Sequence, residues 1–514
     1  MRLIRSAVSV GSFTALSRLG GFVREWLQAH FIGASIISDA LNYAISFPSF
    51  FRRIFAEGAF NASFVPLFSS TLAGDGVQEA RRFAESVLSL LAGVLIILVA
   101  GVVLFADQIM PFFLPGLDAQ QERMLLTVEF TRITFPFLFF ISLTAFFSGM
   151  LNSIERFIAA ASSPAVGNLV IIGTLVLCAD FGMNPGKALS IGVLGCGIVQ
   201  FLWVFVPSQA TGVRLSFRLP RLTPKVRLFF TRLVPAALGA SVFQINLIMD
   251  MMLSSFLPKG CYSYLKYADR FSQLPLSIIG TAISTALLPM LAWQWRKGEI
   301  AHAMESQNRA LEFALFFALP ATVGLIFLAP DLISSFYAHG KFKPCDITPT
   351  ATTLMALSAG LPAYILVKVF STSFFSHGDT KTPVILAMIS VALNFVINIS
   401  LIWSLHQIGL ALSTCLASWI NALMLGFILW RRKLLVLDEK FRKFLPRILI
   451  TTIVLSLYLV YLNPYFLAYL KSFDMWNWLA LILSILSMGI VYLGVSYLMG
   501  TFTWARIKQH MADN

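Results

Sequence analysis

The chain contains 514 residues, of which 58% are hydrophobic and only 12% are charged. So few charged side chains cannot cover a water-soluble protein of this size, and the composition therefore excludes a soluble globular fold. The net charge of +14 would suit a nucleic-acid partner, but the basic residues lie mostly at the ends of apolar segments, which argues against that class.

Apolar segments long enough to cross a bilayer follow one another along the chain. A helix of about 20 apolar residues spans the hydrocarbon core, which is roughly 30 Å thick. The pattern predicts an all-α polytopic membrane protein with about 14 transmembrane helices. In chain order these predicted helices lie at 6–29, 36–60, 83–105, 125–150, 158–180, 187–207, 229–256, 263–291, 309–329, 350–375, 383–404, 408–430, 444–463 and 476–500.

The basic residues between these helices indicate the orientation of the chain. With a cytoplasmic N-terminus, 24 Lys and Arg residues fall in cytoplasmic segments and 6 on the opposite side. Loops rich in Lys and Arg stay in the cytoplasm, so this distribution predicts that both termini are cytoplasmic. The other 8 basic residues lie inside predicted helices and need a separate explanation.

The two halves of the chain share a weak internal repeat. Shifting the sequence by 224 residues places Asp107 on Asp331 and Gly116 on Gly340, and helix prolines recur at similar offsets. Transporter folds are often built from two such repeats. The predicted domains are a six-helix bundle at 1–222, a second six-helix bundle at 223–433, and two further helices with a cytoplasmic tail at 434–514.

Several charged residues lie inside the predicted helices, where each costs about 2.5 to 3.5 kcal/mol on insertion scales. They must therefore face one another or a water-filled cavity. Predicted helix 1 carries Ser17, Arg18 and Arg24, and predicted helix 2 has a polar face that runs from Asp39 to Arg53. The cations of predicted helices 1, 2, 8 and 10 are Arg18, Arg24, Arg52, Arg53, Lys266, Arg270 and Lys368, and the anions are Glu25, Asp39, Glu57 and Asp269.

The surplus of cations over anions predicts an anionic ligand. Buried guanidinium groups are too costly to keep without a partner, and their planar donors match pairs of phosphate oxygens. The alternative is that internal ion pairs, Arg24 with Asp39 or Arg52 with Glu57, merely hold helices together. For single residues both interpretations stay open, whereas the whole set favours a phosphate-bearing ligand in a central cavity.

The cysteines and histidines predict neither a disulfide framework nor catalysis. The five cysteines are odd in number and mostly lie in or beside apolar helices, although Cys261 and Cys345 both fall in predicted outer loops and could pair. The six histidines show no metal-ligand spacing, and the sequence contains no phosphate-binding loop, HExxH motif or nucleophile elbow. We therefore expect a transporter and not an enzyme.

Three segments of the sequence form specific motifs: SRLGGFVRE at 17–25, RRIFAEGAFNASFVP at 52–66, and YADRF at 267–271 followed by QLP at 273–275. They resemble the MurJ (MviN) family of lipid II flippases, within the multidrug/oligosaccharidyl-lipid/polysaccharide exporter superfamily. The Asp39-Ala40 dipeptide at the start of predicted helix 2 matches as well. The resemblance extends over essentially the full length, and the motif at 52–66 is far more specific than a glycine pattern.

The resemblance implies a carrier for peptidoglycan synthesis, cell-wall biogenesis and cell shape in a bacterial inner membrane. Its substrate would be lipid II, an undecaprenyl-pyrophosphate-linked disaccharide pentapeptide, moved by alternating access through a central cationic cavity. Membrane lipids and the cell-wall synthesis machinery are the other expected partners. By motif match the substrate-binding residues are Arg18, Arg24, Arg52 and Arg270 with Asp39 and Glu57 as acidic neighbours, and the residue pattern adds Ser17, Arg53 and Lys368. Spacing alone favours Arg53 over Arg52, so that choice follows from the resemblance.

Some members of the family resemble sodium-coupled carriers, which implies a cation site between predicted helices 7, 11 and 12. The corresponding residues are Asp250, Asn394, Asn398 and Thr414. Asn394 and Asn398 are four residues apart and share one helix face. A hard cation gains from each negative oxygen ligand, and Asp250 is the single carboxylate of this set. The alternatives are therefore a sodium site and hydrogen bonding between helices by the two asparagines.

Two other transport functions stay open from the residues alone. An exporter of another polyprenyl-linked glycan would use the same arginines, and only the motif at 52–66 favours lipid II over that substrate. A drug antiporter of the same superfamily would need an acidic cavity for cationic drugs, whereas the cavity predicted here is basic.

Overall fold

The computed structural model describes residues 2–55, 59–180, 182–210, 215, 223–472 and 476–501. The regular secondary structure of these residues is helical, so the predicted all-α class is confirmed. The chain divides into two compact units, Met1–Ser263 with Gly340–Phe342 (unit 1), and Tyr264–His339 with Lys343–Asn514 (unit 2).

The helices of unit 1 follow one another in chain order. They are α1 (Arg2–Phe31), α2 (Ile36–Phe55), α3 (Ala59–Gly74), α4 (Gly76–Leu104), α5 (Ala106–Phe113), α6 (Gln121–Thr134), α7 (Phe137–Ser153), α8 (Phe157–Asp180), α9 (Pro185–Gln209) and α10 (Pro224–Ser254). Helix α10 packs against α2, α3 and α4 and so belongs to unit 1. The repeat-based boundary at 222/223 places it in the second bundle, and that division of the sequence stays a prediction.

The two longest of the described helices lie mainly in unit 2. The helices of unit 2 are α11 (Cys261–Arg296), whose first turn lies in unit 1, α12 (Ile300–Phe327), α13 (Ala329–Tyr337), α14 (Ile347–Ser358), α15 (Leu361–Ser376), α16 (Lys381–Arg431), α17 (Glu439–Leu457), α18 (Asn463–Lys471) and α19 (Asn477–Leu498). A single π-helical turn, Tyr458–Leu462, joins α17 to α18.

Helix α16 is a hairpin of two arms. His406 has φ 51° and ψ −128°, which no helix accommodates, and the chain reverses there. The Ser390 hydroxyl donates to the Ala417 carbonyl at 2.8 Å, which joins the antiparallel arms. The helices predicted at 383–404 and 408–430 correspond to these two arms.

Ten stretches of the described residues are long and apolar enough to cross a membrane, and the α16 hairpin counts as one of them. The predicted helices outside these ten correspond to α1, α2 and α10. The first two carry the intramembrane charges Arg18, Arg24, Asp39, Arg52 and Arg53, which lower their apolar character. The number of 14 spans therefore stays a prediction.

Proline and side-chain caps start several helices. Asn184 caps α9 by accepting from Gly186 N at 2.9 Å, with Pro185 as the first helical residue. Asp438 caps α17 by accepting from Phe441 N at 2.6 Å. Such caps satisfy backbone N–H groups that have no partner within the helix.

Each unit has its own apolar core. In unit 1, Phe60, Phe64 and Phe68 recur every four residues along α3 and stack, and Phe146 and Phe229 pack against them from α7 and α10. In unit 2, one cluster lies between α11, α12, α15 and α16, and a second joins α12 to α17 and α19. These contacts fix the helix faces on which the charged side chains lie.

Candidate functional site

Arg24 on α1 is held by a neighbouring helix. Its side chain is 31% exposed, and Nη1 donates to Oδ1 of Asn168 on α8 at 3.4 Å. Asn168 Nδ2 in turn donates to the backbone carbonyl of Ser17 at 2.9 Å. A Cβ on Gly20 would lie 3.1 Å from the Asn168 Cβ, so the glycine allows this close approach. The sequence analysis did not single out Asn168, because one asparagine in an apolar helix gives no pattern.

Arg52 lies in the last turn of α2 and is half-buried, whereas Arg53 is exposed. Arg24 and Arg52 both lie close enough to the Cys196 thiol on α9 to interact with it electrostatically. Two of the predicted arginines are thus brought near one point of unit 1. Arg18 is exposed and Ser17 is half-buried on the same helix, and Glu57 lies outside the described residues.

The alternative interpretation, an ion pair between Arg24 and Asp39, is wrong, because Asp39 pairs with Arg123. Their side chains are 0% and 1% exposed, and Arg123 Nη2 lies 2.9 Å from Asp39 Oδ2. Asp39 also accepts from Gly260 N at 2.6 Å and from Ser263 N at 2.8 Å, at the first turn of α11. Burial without these partners would cost several kcal/mol, so the full set of donors explains how the carboxylate is accommodated.

Both terminal nitrogens of Arg123 are engaged in the same network. Arg123 donates to the Leu257 carbonyl at 3.0 Å and to the Tyr43 hydroxyl at 3.1 Å, and it lies over the Tyr43 ring at 5.4 Å. Sequence reasoning missed this pair, because 84 residues separate Arg123 from Asp39 and no periodicity relates them.

The polar face of α2 beyond Asp39 is also used within unit 1. Asn42 donates to the Ser263 hydroxyl at 3.4 Å, and Ser46 shares a hydrogen bond of 3.1 Å with the Tyr262 hydroxyl. The Ser49 hydroxyl donates back to the Ile45 carbonyl of its own helix. This part of the face therefore joins α2 to the start of α11.

In unit 2 the charges on α11 partly neutralise one another. Asp269 interacts electrostatically with Lys266 and Arg270, and it accepts a hydrogen bond from Gln273. Two cations thus share one carboxylate on this helix. All three side chains are half-buried.

Lys368 on α15 is half-buried and lies against Gly280 of α11. A Cβ on Gly280 would lie 2.8 Å from Lys368 Nζ and 2.7 Å from its Cδ. Glycine at this position therefore leaves the space that the ammonium group occupies.

The residues of the predicted sodium site are hydrogen-bonded within their own units. In unit 1, Asp250 accepts from Asn246 at 3.3 Å. In unit 2, Asn398 donates to Asn394 at 3.4 Å and accepts from the Ser413 hydroxyl across the α16 hairpin, and Thr414 donates to the Leu410 carbonyl. The hydrogen bonding between helices that was the alternative is thus present, and the sodium site stays a prediction.

No disulfide joins Cys261, which is buried, to Cys345, which is exposed. Among the described residues, no group of three or more His, Cys, Asp or Glu side chains is arranged to hold a metal ion.

The ten stretches of the described residues that are long and apolar enough to cross a membrane define a polytopic membrane protein. A solved MATE-family transporter of the MOP superfamily, in an inward-facing conformation, matches 83% of this chain and 98% of its own with a TM-score of 0.67. Its 15% identity shows the fold alone.

The family follows from closer relatives. A sequence model of the family described as lipid II flippase MurJ matches residues 28–480. Probable lipid II flippases MurJ from Rhizobium tropici and Rickettsia prowazekii are 38% and 34% identical, over 90% and 97% of this chain and 87% and 98% of their own. A solved lipid II flippase MurJ in an inward closed conformation is 31% identical, with a TM-score of 0.79 over 96% of this chain and 98% of its own. The chain belongs to the MurJ family of lipid II flippases, as the motifs at 17–25, 52–66 and 267–275 indicate.

Proposed function

We propose that this chain moves lipid II from the cytoplasmic to the outer leaflet of a bacterial inner membrane by alternating access. The observation that carries the proposal is the family match over residues 28–480, with arginines at the motif positions of α1, α2 and α11. The predicted orientation, with both termini cytoplasmic, is part of the proposal and rests on the distribution of basic residues.

The arginines lower the main free-energy barrier to translocation, which is the desolvation of the diphosphate. Moving a diphosphate through hydrocarbon without partners costs tens of kcal/mol in the Born limit. By the motif match, Arg24, Arg52 and Arg270 are the residues that bind the diphosphate, and Arg18 assists. Guanidinium groups replace the lost hydration with paired N–H donors. The sugars and the peptide fill the polar cavity, and the polyprenyl tail stays in the bilayer.

The membrane potential drives the loaded step. Outward movement of a dianion across an inside-negative potential is favoured by roughly 4 to 5 kcal/mol per 100 mV. The return of the empty carrier moves the arginines without their anion, so this is the step at which a counter-ion would act. Sodium is the proposed counter-ion, and a sodium gradient should then accelerate flipping. The cell-wall synthesis machinery stays an expected partner.

The test is a flipping assay with the purified full chain in liposomes and labelled lipid II. Replacing Arg24, Arg52 or Arg270 by Gln removes one charge with little change in volume. We expect each variant to lose at least about tenfold in flipping rate, because a charge-assisted hydrogen bond to the substrate contributes about 1.5 to 3 kcal/mol.

Arg132→Gln is the matched control, because Arg132 is exposed and pairs with Asp107 on the surface of unit 1. It should flip lipid II at the wild-type rate. Retained flipping in the Arg24, Arg52 and Arg270 variants, with insertion verified, would refute binding of the diphosphate by these arginines. Running the assay with and without a potential and a sodium gradient separates the two driving forces.

A further inference from the structure

A groove opens on the surface of unit 1 between the start of α8 and the end of α9. Its volume is about 800 Å³, within the range of ligand sites. One wall comes from Phe157, Ile158 and Ala159 of α8, and the other from Val199, Leu202 and Val206 of α9. The arginines that the proposed mechanism assigns to the diphosphate do not line this groove.

The groove is apolar along its length and faces outward. Ile158 is 62% exposed, Leu202 is 48% exposed and Val206 is 65% exposed. In a membrane protein, apolar side chains this exposed on a helix surface contact acyl chains. Trp203 also lines the groove. Its indole N–H donates to the Ser162 hydroxyl at 2.9 Å, so the ring can present an apolar surface to the groove.

Two adjacent residues of opposite charge, an acidic one and a basic one, line the groove. Glu155 and Arg156 form the turn between α7 and α8, and both line the groove and are exposed. The distribution of basic residues assigns Arg156 to the cytoplasmic membrane surface, and tryptophan near it is typical of the headgroup level. The first turn of α8 begins at Phe157, so its N–H groups add to the favourable potential for an anion beside Arg156.

The backbone of the turn supports a role for the Glu155 carboxylate. Glu155 has φ 61°, and Arg156 N donates to the Leu151 carbonyl at 2.9 Å, which is the helix ending that usually has glycine in the left-handed position. A residue with a side chain is strained there, and such strain is characteristic of functional positions. Glycine would adopt this left-handed conformation with less strain than glutamate. We therefore expect that the Glu155 carboxylate has a role in binding a ligand.

We propose that this groove binds phosphatidylethanolamine from the surrounding leaflet. Its phosphate accepts from the Arg156 guanidinium, its primary ammonium donates to the Glu155 carboxylate, and an acyl chain lies along α8 and α9. The adjacent opposite charges match a zwitterionic headgroup with N–H donors. Phosphatidylglycerol lacks the cation and would be repelled by Glu155, whereas the choline of phosphatidylcholine has no N–H to donate.

The experiment measures lipid retention by the purified full chain with native mass spectrometry. The protein is delipidated in detergent and then offered phosphatidylethanolamine, phosphatidylglycerol or phosphatidylcholine. The wild type should retain one phosphatidylethanolamine at least about fivefold more strongly than either other lipid, which corresponds to about 1 kcal/mol. Arg156→Gln should reduce retention of phosphatidylethanolamine, and Arg132→Gln, on another surface of unit 1, should not.

Glu155→Gly separates a binding role from a structural one. Relief of the left-handed strain should keep or raise the melting temperature, while the preference for phosphatidylethanolamine over phosphatidylglycerol disappears. Equal retention of the three lipids by the wild type, or an unchanged preference in Glu155→Gly, would overturn the proposal. No lipid II is present in this measurement, so its outcome is independent of the flipping assay.

Discussion

Asp39 and Arg123 show how a membrane-embedded unit can hold two charges in its interior. Each group has several donors or acceptors beyond its ion-pair partner, and the network joins the start of α2, the start of α6 and the first turn of α11. A buried pair of this kind adds little net stability over an apolar pair, but loss of one partner leaves an uncompensated charge.

We therefore expect Arg123→Met to destabilise the protein by about 3 to 5 kcal/mol. The measurement is thermal unfolding of the detergent-solubilised chain. Asp107→Asn is the control, because its pair with Arg132 is exposed and should contribute less than about 1 kcal/mol. Similar small shifts for both variants would contradict the structural role of the buried pair.

Asn168 positions Arg24 from another helix, through one hydrogen bond to the guanidinium and another to the Ser17 carbonyl. Asn168→Leu keeps the number and branching of the side-chain heavy atoms and removes both hydrogen bonds. We expect flipping of lipid II to fall by about tenfold, or ~1.4 kcal/mol, with an unchanged melting temperature. Thr174→Val on the same helix is the control, because the Thr174 hydroxyl bonds only the Val170 carbonyl of α8. Full activity of Asn168→Leu would exclude the positioning role.

At the scale of elements, an ion pair joins the two ends of the α16 hairpin. Asp379 precedes the first arm and accepts from Thr382 N at 3.0 Å and from the Thr382 hydroxyl at 2.7 Å. Arg432, which follows the second arm, lies 2.6 Å from the same carboxylate. The hydrogen bonds from Thr382, with a smaller contribution from Arg432, lower the pKa of Asp379 to about 2.

This shift gives the hairpin a pH dependence. Because the folded pKa lies below the ordinary value of 3.8, the stabilisation is complete above pH 4 and is lost as pH falls toward 2. Asp379→Asn should therefore lower the melting temperature at pH 6 by less than about 4 °C, and the difference from wild type should shrink at pH 3.

Glu305→Gln is the matched control, because Glu305 forms an exposed pair with Lys440 and caps no helix. Its effect at pH 6 should be smaller than that of Asp379→Asn. A difference between Asp379→Asn and wild type that grows on acidification would reverse the predicted sign.

The positions of several helices could be predicted from the sequence, but the contact partners of the polar side chains inside them could not. Apolar length located α8, α9 and both arms of α16 to within a few residues, because hydrocarbon thickness sets that length. For α4 it located the end, but the helix begins seven residues before the predicted start at 83. The partner of Asp39 is set by packing of distant segments, which leaves no local pattern. Asn168 was missed for the same reason.

At the scale of the whole molecule, the composition was enough to define the class and the motifs were enough to define the family. The sequence shows that α1 and α2 carry charged residues, but it does not show which groups these residues contact. Asp39 forms a buried ion pair with Arg123 in unit 1, whereas Arg24 and Arg52 interact electrostatically with the Cys196 thiol. Spacing favoured Arg53, which is exposed, because an ideal helix repeat does not show where neighbouring helices pack.

The reversal at His406 has a consequence for biosynthesis. Residues 382–430 contain no Asp, Glu, Lys or Arg, and the two arms meet at a turn so tight that a Cβ on Gly409 would lie 2.7 Å from the Leu401 carbonyl. During membrane insertion, only the short turn between the two arms then has to cross the bilayer, and it contains no Asp, Glu, Lys or Arg. The pair of arms can therefore enter the lipid together, with its backbone groups already satisfied and no hydrophilic loop to translocate.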